Sequence, residues 1–430
     1  MSGIANTYSF APIVQEPHYE TVAQKYRPIF QRIAANTLER EQNRRLGREE
    51  IKWLKEAGFG AVRVPVEYGG DGVSLPQLFQ LLIELAEADS NIVQALRGHF
   101  AFVEDRLNAP RDEKVLTWFK RFTQGDLVGN AWSEVGSVSI GEVNTRVSKQ
   151  DGSLVVNGQK FYSTGSIFAD WIDLFARDED GSHVIAAVST HQASVIQEDD
   201  WDGFGQRTTG SGTSIYQNAV VEELIPFESR FKYQTAFYQL FHLATLAGIA
   251  RAALRDVSRQ VRDRTRIYST SNASSFAQDV QVQQVVGEIS AYTYAAEATA
   301  VRAAFASQRA YDAHWHGTPE QEKQANIEAE LESAQGQVVL SELVIKATSQ
   351  LFNALGASAA STKLSLDRHW RNARTVASHN PLIYKARIIG DWQINGTEPP
   401  YVWKIGQGPS YKPLPESTTS ESSVSSTKAA

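Results

Sequence analysis

The chain has 430 residues, a formal net charge of −7 and no cysteine. The missing thiols exclude disulfides, thiolate nucleophiles, cysteine-held iron–sulfur clusters and cysteine zinc sites. Its 42% hydrophobic and 21% charged residues are a globular composition, and with no excess of Lys and Arg there is no electrostatic case for nucleic acid. No run approaches the roughly 18–20 apolar residues of a membrane span, and the N-terminus lacks a basic-then-apolar leader pattern. These features predict a soluble, cytoplasmic protein that binds neither nucleic acid nor membrane.

Between residues 19 and 54, Val22, Tyr26, Ile29, Phe30 and Ile33 recur at helical spacing, and Pro28 should start or kink a helix. The glycines within 57–60 and 65–72 then break regularity. A helical stripe resumes at Leu75, Leu78, Phe79, Leu82, Ile83 and Ala86. Ser90 and Asn91 read as the cap of a further helix carrying Ile92, Val93, Leu96, His99, Phe100 and Val103, and another covers Val115, Leu116, Phe119 and Phe122. Residues 1–125 are expected to form a helical domain.

From 126 to 230 the period becomes two. Val155 and Val156 run into Asn157-Gly158, which reads as a tight turn because both residues tolerate positive φ, with 159–164 returning as a strand. Runs 171–176 and 183–188 read as a further strand pair. Hydroxyl, amide and aromatic groups at 130–134 and 161–164 would fall on neighbouring strand ends, a surface suited to a flat, heteroatom-rich ring. The same groups would equally serve an ordinary β-domain by satisfying one another, and the stretch alone leaves both readings open. The Gly- and hydroxyl-rich segment 199–214, with Trp201 and Phe204, spells no GxGxxG between a strand and a helix, so no dinucleotide fingerprint is read.

From 231 to 396 helical runs return at 240–267, 276–311 and 319–355, with two shorter ones after Leu364 and Pro381, and Gly356 is placed to end the third run in a left-handed turn. Such lengths predict an up-and-down bundle whose apolar faces pair with another subunit. Residues 397–430 read as an extended, Ser-rich, disordered tail. His314-Trp315-His316 reads as a solvated helix end, because no carboxylate or third His stands beside it at ligand spacing, and no metal site is expected.

Taken together, Val64-Pro65-Val66-Glu67-Tyr68-Gly69-Gly70-Asp71-Gly72, Trp132-Ser133-Glu134, Val156-Asn157-Gly158-Gln159-Lys160 with Ala169-Asp170, and Arg371-Asn372-Ala373-Arg374 resemble the acyl-CoA dehydrogenase superfamily. The resemblance implies an α+β fold with an N-terminal helical domain, a middle β-barrel-like domain and a C-terminal four-helix bundle, with flavin between barrel and bundle in a homotetramer. The chain departs from the dehydrogenases in two places. No Asp or Glu occurs between Glu228 and Asp256, and Thr-Val-Ala-Ser-His-Asn-Pro follows Arg374, so the carboxylate base expected at one of these places is missing. Residues 350–356 lack the paired glycines near a dinucleotide pyrophosphate, which favours FMN and leaves FAD as the alternative.

The narrower resemblance is to the flavin-dependent monooxygenase branch of that superfamily, typified by dibenzothiophene monooxygenase. It is carried by His99, Asn130, Trp132, Ser133, Ser163, Trp201 and Ser378-His379-Asn380-Pro381-Leu382-Ile383-Tyr384-Lys385. This implies a two-component enzyme that takes reduced FMN (FMNH2) from a separate NAD(P)H:flavin reductase. Reaction with O2 would give a flavin C4a-hydroperoxide, which oxygenates a small apolar substrate, with organosulfur compounds the leading class. In that scheme His379 donates a hydrogen bond near the peroxide, Ser163 is a second contact, and His99 points into the substrate cavity. Asn130 and Ser133 hydrogen-bond the flavin and Trp132 packs against its ring. Trp201 and Ser211 lie over the flavin or its phosphate, and Thr164 and Asn380 complete the cofactor contacts. An acyl thioester dehydrogenase with a displaced base, an N-oxygenase and a non-catalytic flavin-binding scaffold are the other readings.

Overall fold

The structure, a computed structural model, describes residues 12–14, 17–135 and 141–404; the expectation for the Ser-rich tail falls almost wholly outside them. The N-terminal part folds as α1 (Pro17–Ala35), α2 (Thr37–Asn43), α3 (Arg48–Glu56), α4 (Leu75–Ala88), α5 (Ser90–Ala95), α6 (Arg97–Asn108) and α7 (Glu113–Thr123). Pro28 sits inside α1 without ending it. Tyr26 and Phe30 on either side of it pack edge-on against Phe59 at 5.0 and 5.6 Å, and this burial holds the helix together across the missing N–H. The single helix expected from 92 to 103 is two. Asp89, rather than Ser90 or Asn91, caps α5 by accepting from the Asn91 amide at 3.0 Å, and the chain breaks at Leu96. That break sets Arg97 at the start of α6.

The middle part contains β1 (Val128–Ala131), β2 (Arg146–Gln150), β3 (Ser153–Lys160), β4 (Trp171–Arg177), β5 (His183–Ser189), β6 (Val195–Gln197) and β7 (Ser214–Pro226). Pairing runs β4–β2–β3–β7–β5 and returns from β5 to β4, so the sheet closes into a barrel, with β1 alongside β4 and β6 alongside β7. Alternation along β4 divides its side chains: Ile172, Leu174 and Ala176 fill the barrel, while Trp171 and Phe175 pack outward on the cluster around α6 and α7. Asn157-Gly158 is not a turn. The tight turn is Asp151-Gly152, with φ of 49° and 83°, and β3 continues through Asn157-Gly158 with a register irregularity against β7. The Asn157 side chain makes its bonds across the sheet, giving Nδ2–H to Asn218 Oδ1 at 2.8 Å and accepting the Asn218 amide at 2.8 Å.

The C-terminal part is α8 (Gln234–Asp263), α9 (Val280–His316), α10 (Pro319–Leu355), α11 (Asp367–Ala377) and α12 (Leu382–Asn395). Thr318 and Gln321 form a capping box at the start of α10, and Gly356, with φ of 70°, ends it. By length and composition alone α10 could cross a membrane. Leu340, Val344 and Leu351 of this helix are buried in the bundle, as the core helix of a globular protein would be. One hydrophobic core runs through α1, α3, α4, α6, α8, α9 and α10, so helical domain and bundle are packed as one body and the barrel sits against both.

Barrel and bundle are joined by a buried ion pair. Asp173 of β4 is fully buried and accepts Arg230 Nη1–H at 3.1 Å and Trp132 Nε1–H at 3.0 Å, and Arg230 also gives Nε–H to Gln234 Oε1 at 3.1 Å. Truncating one partner strands the other charge in the interior. Asp173→Ala should lower unfolding stability by about 3–5 kcal/mol, read as the shift in the urea midpoint at neutral pH; an unshifted midpoint would show that the pair is not a structural joint.

Candidate functional site

The two strand ends singled out in the sequence do meet. Ser133 and Phe161 form an antiparallel bridge, with the Phe161 amide giving to Ser133 O at 2.9 Å. Beyond β3 the chain turns through Tyr162, whose φ of 58° is unusual for a non-glycine residue, so that Ser163 and Thr164 run back along the seam. Gly165 makes the closest approach: at φ 79° a Cβ there would stand 1.9 Å from Ala95 O at the end of α5, a position that only glycine can occupy. The first turn of α6 lies on β1 in the same way, since a Cβ on Gly98 would stand 2.7 Å from Asn130 Oδ1. Asn130, Ser163, Thr164 and Arg97 are thereby drawn to one seam.

The bundle supplies the opposite wall. Tyr238 of α8 stands edge-on to Trp132 at 5.6 Å, and the Arg97 guanidinium lies 5.2 Å from the Tyr238 ring centre. One turn further along α8, His242 meets His379 at 4.3 Å between ring centres. His379 sits in the link between α11 and α12 and keeps an exposed surface although it stands against a buried partner, so it lines an opening rather than filling a core. Gln239 ties the two together: its Oε1 accepts Asn380 Nδ2–H at 2.9 Å, lies 3.2 Å from His242 Nδ1 and is contacted by Gln337 Nε2. A carbonyl oxygen can only accept, so His242 carries its proton on Nδ1 and leaves Nε2 as a bare acceptor.

Burial drives the His242 pKa well below its usual value, and the neighbouring His379 and the positive charge of Arg97 lower it further. The protein crowded around its ring, and then Arg97, draw down His379 against an opposing hydrogen bond that it gives to Asn380. Both imidazoles are neutral at pH 7, each with one donor and one acceptor nitrogen. Among the described residues no carboxylate acts on either. Glu330, a buried acid on α10, accepts the Ala236 amide at 2.8 Å and faces Lys385.

Arg97 Nε, Asn130 Oδ1, Ser163 Oγ, Tyr238 Oη and His242 Nε2 are all buried without a hydrogen-bond partner. A finished core satisfies such atoms. Their gathering along one seam from α6, β1, the turn after β3 and α8 fits a ligand rich in heteroatoms, which is what a flavin ring presents. On the barrel side Ser211 Oγ lies 2.8 Å from Thr164 Oγ1 and 2.7 Å from Thr209 Oγ1, a hydroxyl cluster suited to a polar chain. The loop holding Ser211 is fixed to the bundle by the Gln206 amide giving to Asn372 Oδ1 at 2.6 Å, and Trp201 gives Nε1–H to Gln206 O at 3.0 Å.

His99 does not point into a cavity. Its Nε2–H gives to Gly60 O at 2.8 Å and its Nδ1 accepts the Val128 amide at 3.2 Å, so both ring nitrogens are spent on backbone and its role is to fasten α6 to β1. His314 is not merely a solvated helix end either: it lies 2.9 Å from Glu322 Oε1 and 3.0 Å from Asn108 O and clasps α9 to two neighbours. The contacts of Trp132 are also more structural than the sequence suggests, since Nε1 is used by Asp173 and the Arg230 guanidinium stands 4.9 Å from the ring centre. His242, Tyr238 and Arg97 were not singled out by sequence. The one signal for them is a histidine, His242, in an otherwise apolar helical stretch. A cavity of about 450 Å³ on the outer face of α9 and α10, lined by Phe305, Arg309 and Glu332, shares no residue with this seam.

The acyl-CoA dehydrogenase N-terminal domain family matches residues 17–125, and the acyl-CoA dehydrogenase C-terminal domain family matches residues 240–382. The chain is 26% identical over 383 residues to the probable FMNH2-dependent monooxygenase SfnC of Pseudomonas putida, a match covering 87% of this chain and 94% of the relative. Among solved structures it is similar to methanesulfinate monooxygenase MsuC of Pseudomonas fluorescens, with a TM-score of 0.79, 26% identity and 88% and 98% of the two chains covered. It is equally similar to FMN-bound TdsC, a dibenzothiophene monooxygenase of Paenibacillus sp. A11-2, with a TM-score of 0.79, 29% identity and 88% and 98% covered.

The buried imidazoles set an acid limit on the fold. Unfolded histidine titrates near 6.5, whereas folded His99 is pushed down to about 4 and His242 well below its usual value. The unfolded chain therefore binds more protons in this window. Stability should be fully present above about pH 6.5 and fall on acidification by about 1.4 kcal/mol per pH unit for each of the two. Urea unfolding followed from neutral pH downward checks the slope, which a His242→Asn substitution should reduce by one histidine's share; a flat profile would mean that these rings charge freely in the folded state.

Proposed function

Because the chain belongs to the acyl-CoA dehydrogenase family, we propose that it is a two-component FMN-dependent monooxygenase, receiving reduced FMN from a separate flavin reductase and placing one oxygen atom of O2 on a small organosulfur compound. The observation that carries this reading is the pair of neutral imidazoles, His242 and His379, 4.3 Å apart, at a seam where no carboxylate acts on them. A dehydrogenase of thioesters needs a base to take an α-proton. Two neutral imidazoles walled in by Arg97 and Lys385 suit hydrogen-bond donation better than proton abstraction. SfnC is named as FMNH2-dependent, TdsC binds FMN and MsuC is named for methanesulfinate, which supports the same cofactor and substrate class here.

Reduced FMN, when bound, supplies the electrons that activate O2. Asn130 and Ser163, with their unpartnered Oδ1 and Oγ, would hold heteroatoms of its ring, and the hydroxyls of Thr164, Ser211 and Thr209 would hold the polar chain beyond it. Trp132, fixed by Asp173 and Arg230, is an apolar wall that keeps water from the ring. His379 presents its imidazole to the opening and gives the hydrogen bond at the reacting centre, with Asn380 and Gln239 orienting it. Gln239 also keeps the Nε2 acceptor of His242 directed away from itself. The same reading makes the enzyme a cytoplasmic homotetramer. Exposed Phe305, Val339, Ile383 and Ile394, with the cavity on α9 and α10, support contacts between subunits.

With NADH, FMN and a flavin reductase supplied, His379→Ala should lower product formation by roughly 10²–10⁴-fold while FMN still binds. The electrons from NADH should then appear as hydrogen peroxide. Product is followed by mass spectrometry and peroxide by a peroxidase-coupled assay; full product yield from the variant would remove His379 from the chemistry.

A further inference from the structure

Six arginines are buried among the described residues: Arg40, Arg63, Arg97, Arg106, Arg230 and Arg368. Five hold a carboxylate. Arg40 pairs with Glu50 and Asp89, Arg63 with Glu104, Arg106 with Asp105, Arg230 with Asp173 and Arg368 with Asp256. Arg97, only 7% exposed, has no ion pair among the described residues; its Nε is buried with no hydrogen-bond partner among them, and its guanidinium lies 5.2 Å from the ring centre of Tyr238. Taking a guanidinium out of water without a counter-charge is strongly unfavourable, which is why buried arginines are paired. Its place makes matters worse: Arg97 is the first residue of α6, whose start carries no side-chain cap, and the positive end of a helix dipole disfavours a cation and favours an anion.

We infer that Arg97 is the recognition site for an oxyanion carried by the substrate, and that this enzyme acts on organosulfur compounds bearing an anionic group of the sulfinate, sulfonate or carboxylate type. The inference rests on the monooxygenase reading above and narrows it from small apolar compounds to those with an apolar body and one anionic end. Three features direct the anion to the substrate rather than to the cofactor. Arg97 starts α6, and its guanidinium reaches across the seam to the Tyr238 ring on α8, the helix that also carries His242, whereas the Thr164, Ser211 and Thr209 hydroxyl cluster that suits the cofactor's polar chain is on the barrel side. Tyr238 Oη, also unpartnered, is a second donor beside the guanidinium. The charges that act on the two imidazoles come from Arg97 and Lys385, both positive, and because Glu330 faces Lys385, Arg97 is the one left to attract an anion. A planar fork of donors matches the geometry of such a group.

The test uses the full chain loaded with FMN, in parental form and as Arg97→Gln and Arg97→Met. Binding of an alkanesulfonate, which need not turn over, is measured by calorimetry. FMN affinity is measured by fluorescence quenching, and kcat/KM is compared for an alkanesulfinate and a dialkyl sulfide of equal carbon number. Both variants should weaken sulfonate binding, and lower the sulfinate-to-sulfide ratio of kcat/KM, by roughly 10–100-fold, the worth of a charge-assisted bidentate contact. FMN affinity should change far less. Arg97→Met should melt no lower than the parent, because it removes a charge that no described residue pairs with. An equal loss of FMN affinity would assign the anion to the cofactor and overturn the inference, as would a parent that binds the sulfide no worse than the sulfonate. Variants that melt lower yet bind sulfonate as before would make Arg97 structural. If sulfonate binding depends on Arg97 but no compound is oxygenated, the monooxygenase reading fails and the anion site stands. If sulfides are oxygenated and no anion binds, the reverse holds.

Discussion

The buried pair of Asp173 and Arg230 is the constraint on which the arrangement of the site depends. Both side chains are withdrawn from water, and their attraction is reinforced by Trp132, which gives to Asp173, and by Gln234, which accepts from Arg230 Nε. Those same bonds give the pair its consequence for function. Trp132 is held on the outer end of β1, the chain is delivered into the first turn of α8, and Tyr238, one turn on, is brought against the Trp132 ring. With the Gln206–Asn372 bond at the other end of the seam, the pair fixes the register of barrel against bundle, so that a seam built half from each keeps its spacing.

Along that seam the fold accepts several violations of its own packing rules. Elsewhere buried charges are paired, as the five partnered arginines show, and most buried polar atoms are bonded. Here five side-chain atoms from four elements are left unsatisfied, and two imidazoles are pressed together without a proton to share. Each feature costs stability in the empty protein and is repaid only when a ligand with matching donors and acceptors arrives, so departures from good packing mark the place where the molecule works. The electrostatic sign is also informative. A carboxylate here would serve proton abstraction, whereas neutral imidazoles beside uncompensated positive charge can hold an anion and donate a hydrogen bond without removing a proton from carbon.

Much of this was legible in the sequence where the signal is local. The period of 3.6 over 319–355, closed by Gly356, gives α10 its full extent. The change to a period of two after residue 126 marks the barrel, and the polar strand ends at 130–134 and 161–164 prove to be neighbours. Where a local rule met a tertiary partner, it failed. Asn157-Gly158 has the chemistry of a turn, but the side chain of Asn157 finds Asn218 across the sheet and the strand runs on. His99 has the look of a catalytic residue beside phenylalanines, but Gly60 and Val128 take both of its nitrogens. Arg97 and His242 could not be read from spacing at all. A lone arginine and a lone histidine carry no pattern, and what distinguishes them, the missing partner, exists only once every other residue has found its place.

The account stands on oxygen transfer in place of proton abstraction. The most direct measurement is the mass of the product formed from an organosulfur substrate under isotopically heavy O2, in ordinary water, with FMN and a flavin reductase present, alongside an oxygen-free incubation with an acyl thioester and an electron acceptor. Incorporation of one heavy oxygen atom per product, with the thioester left untouched, is the result expected. Dehydrogenation of the thioester without oxygen, or a product carrying no heavy oxygen, would contradict it.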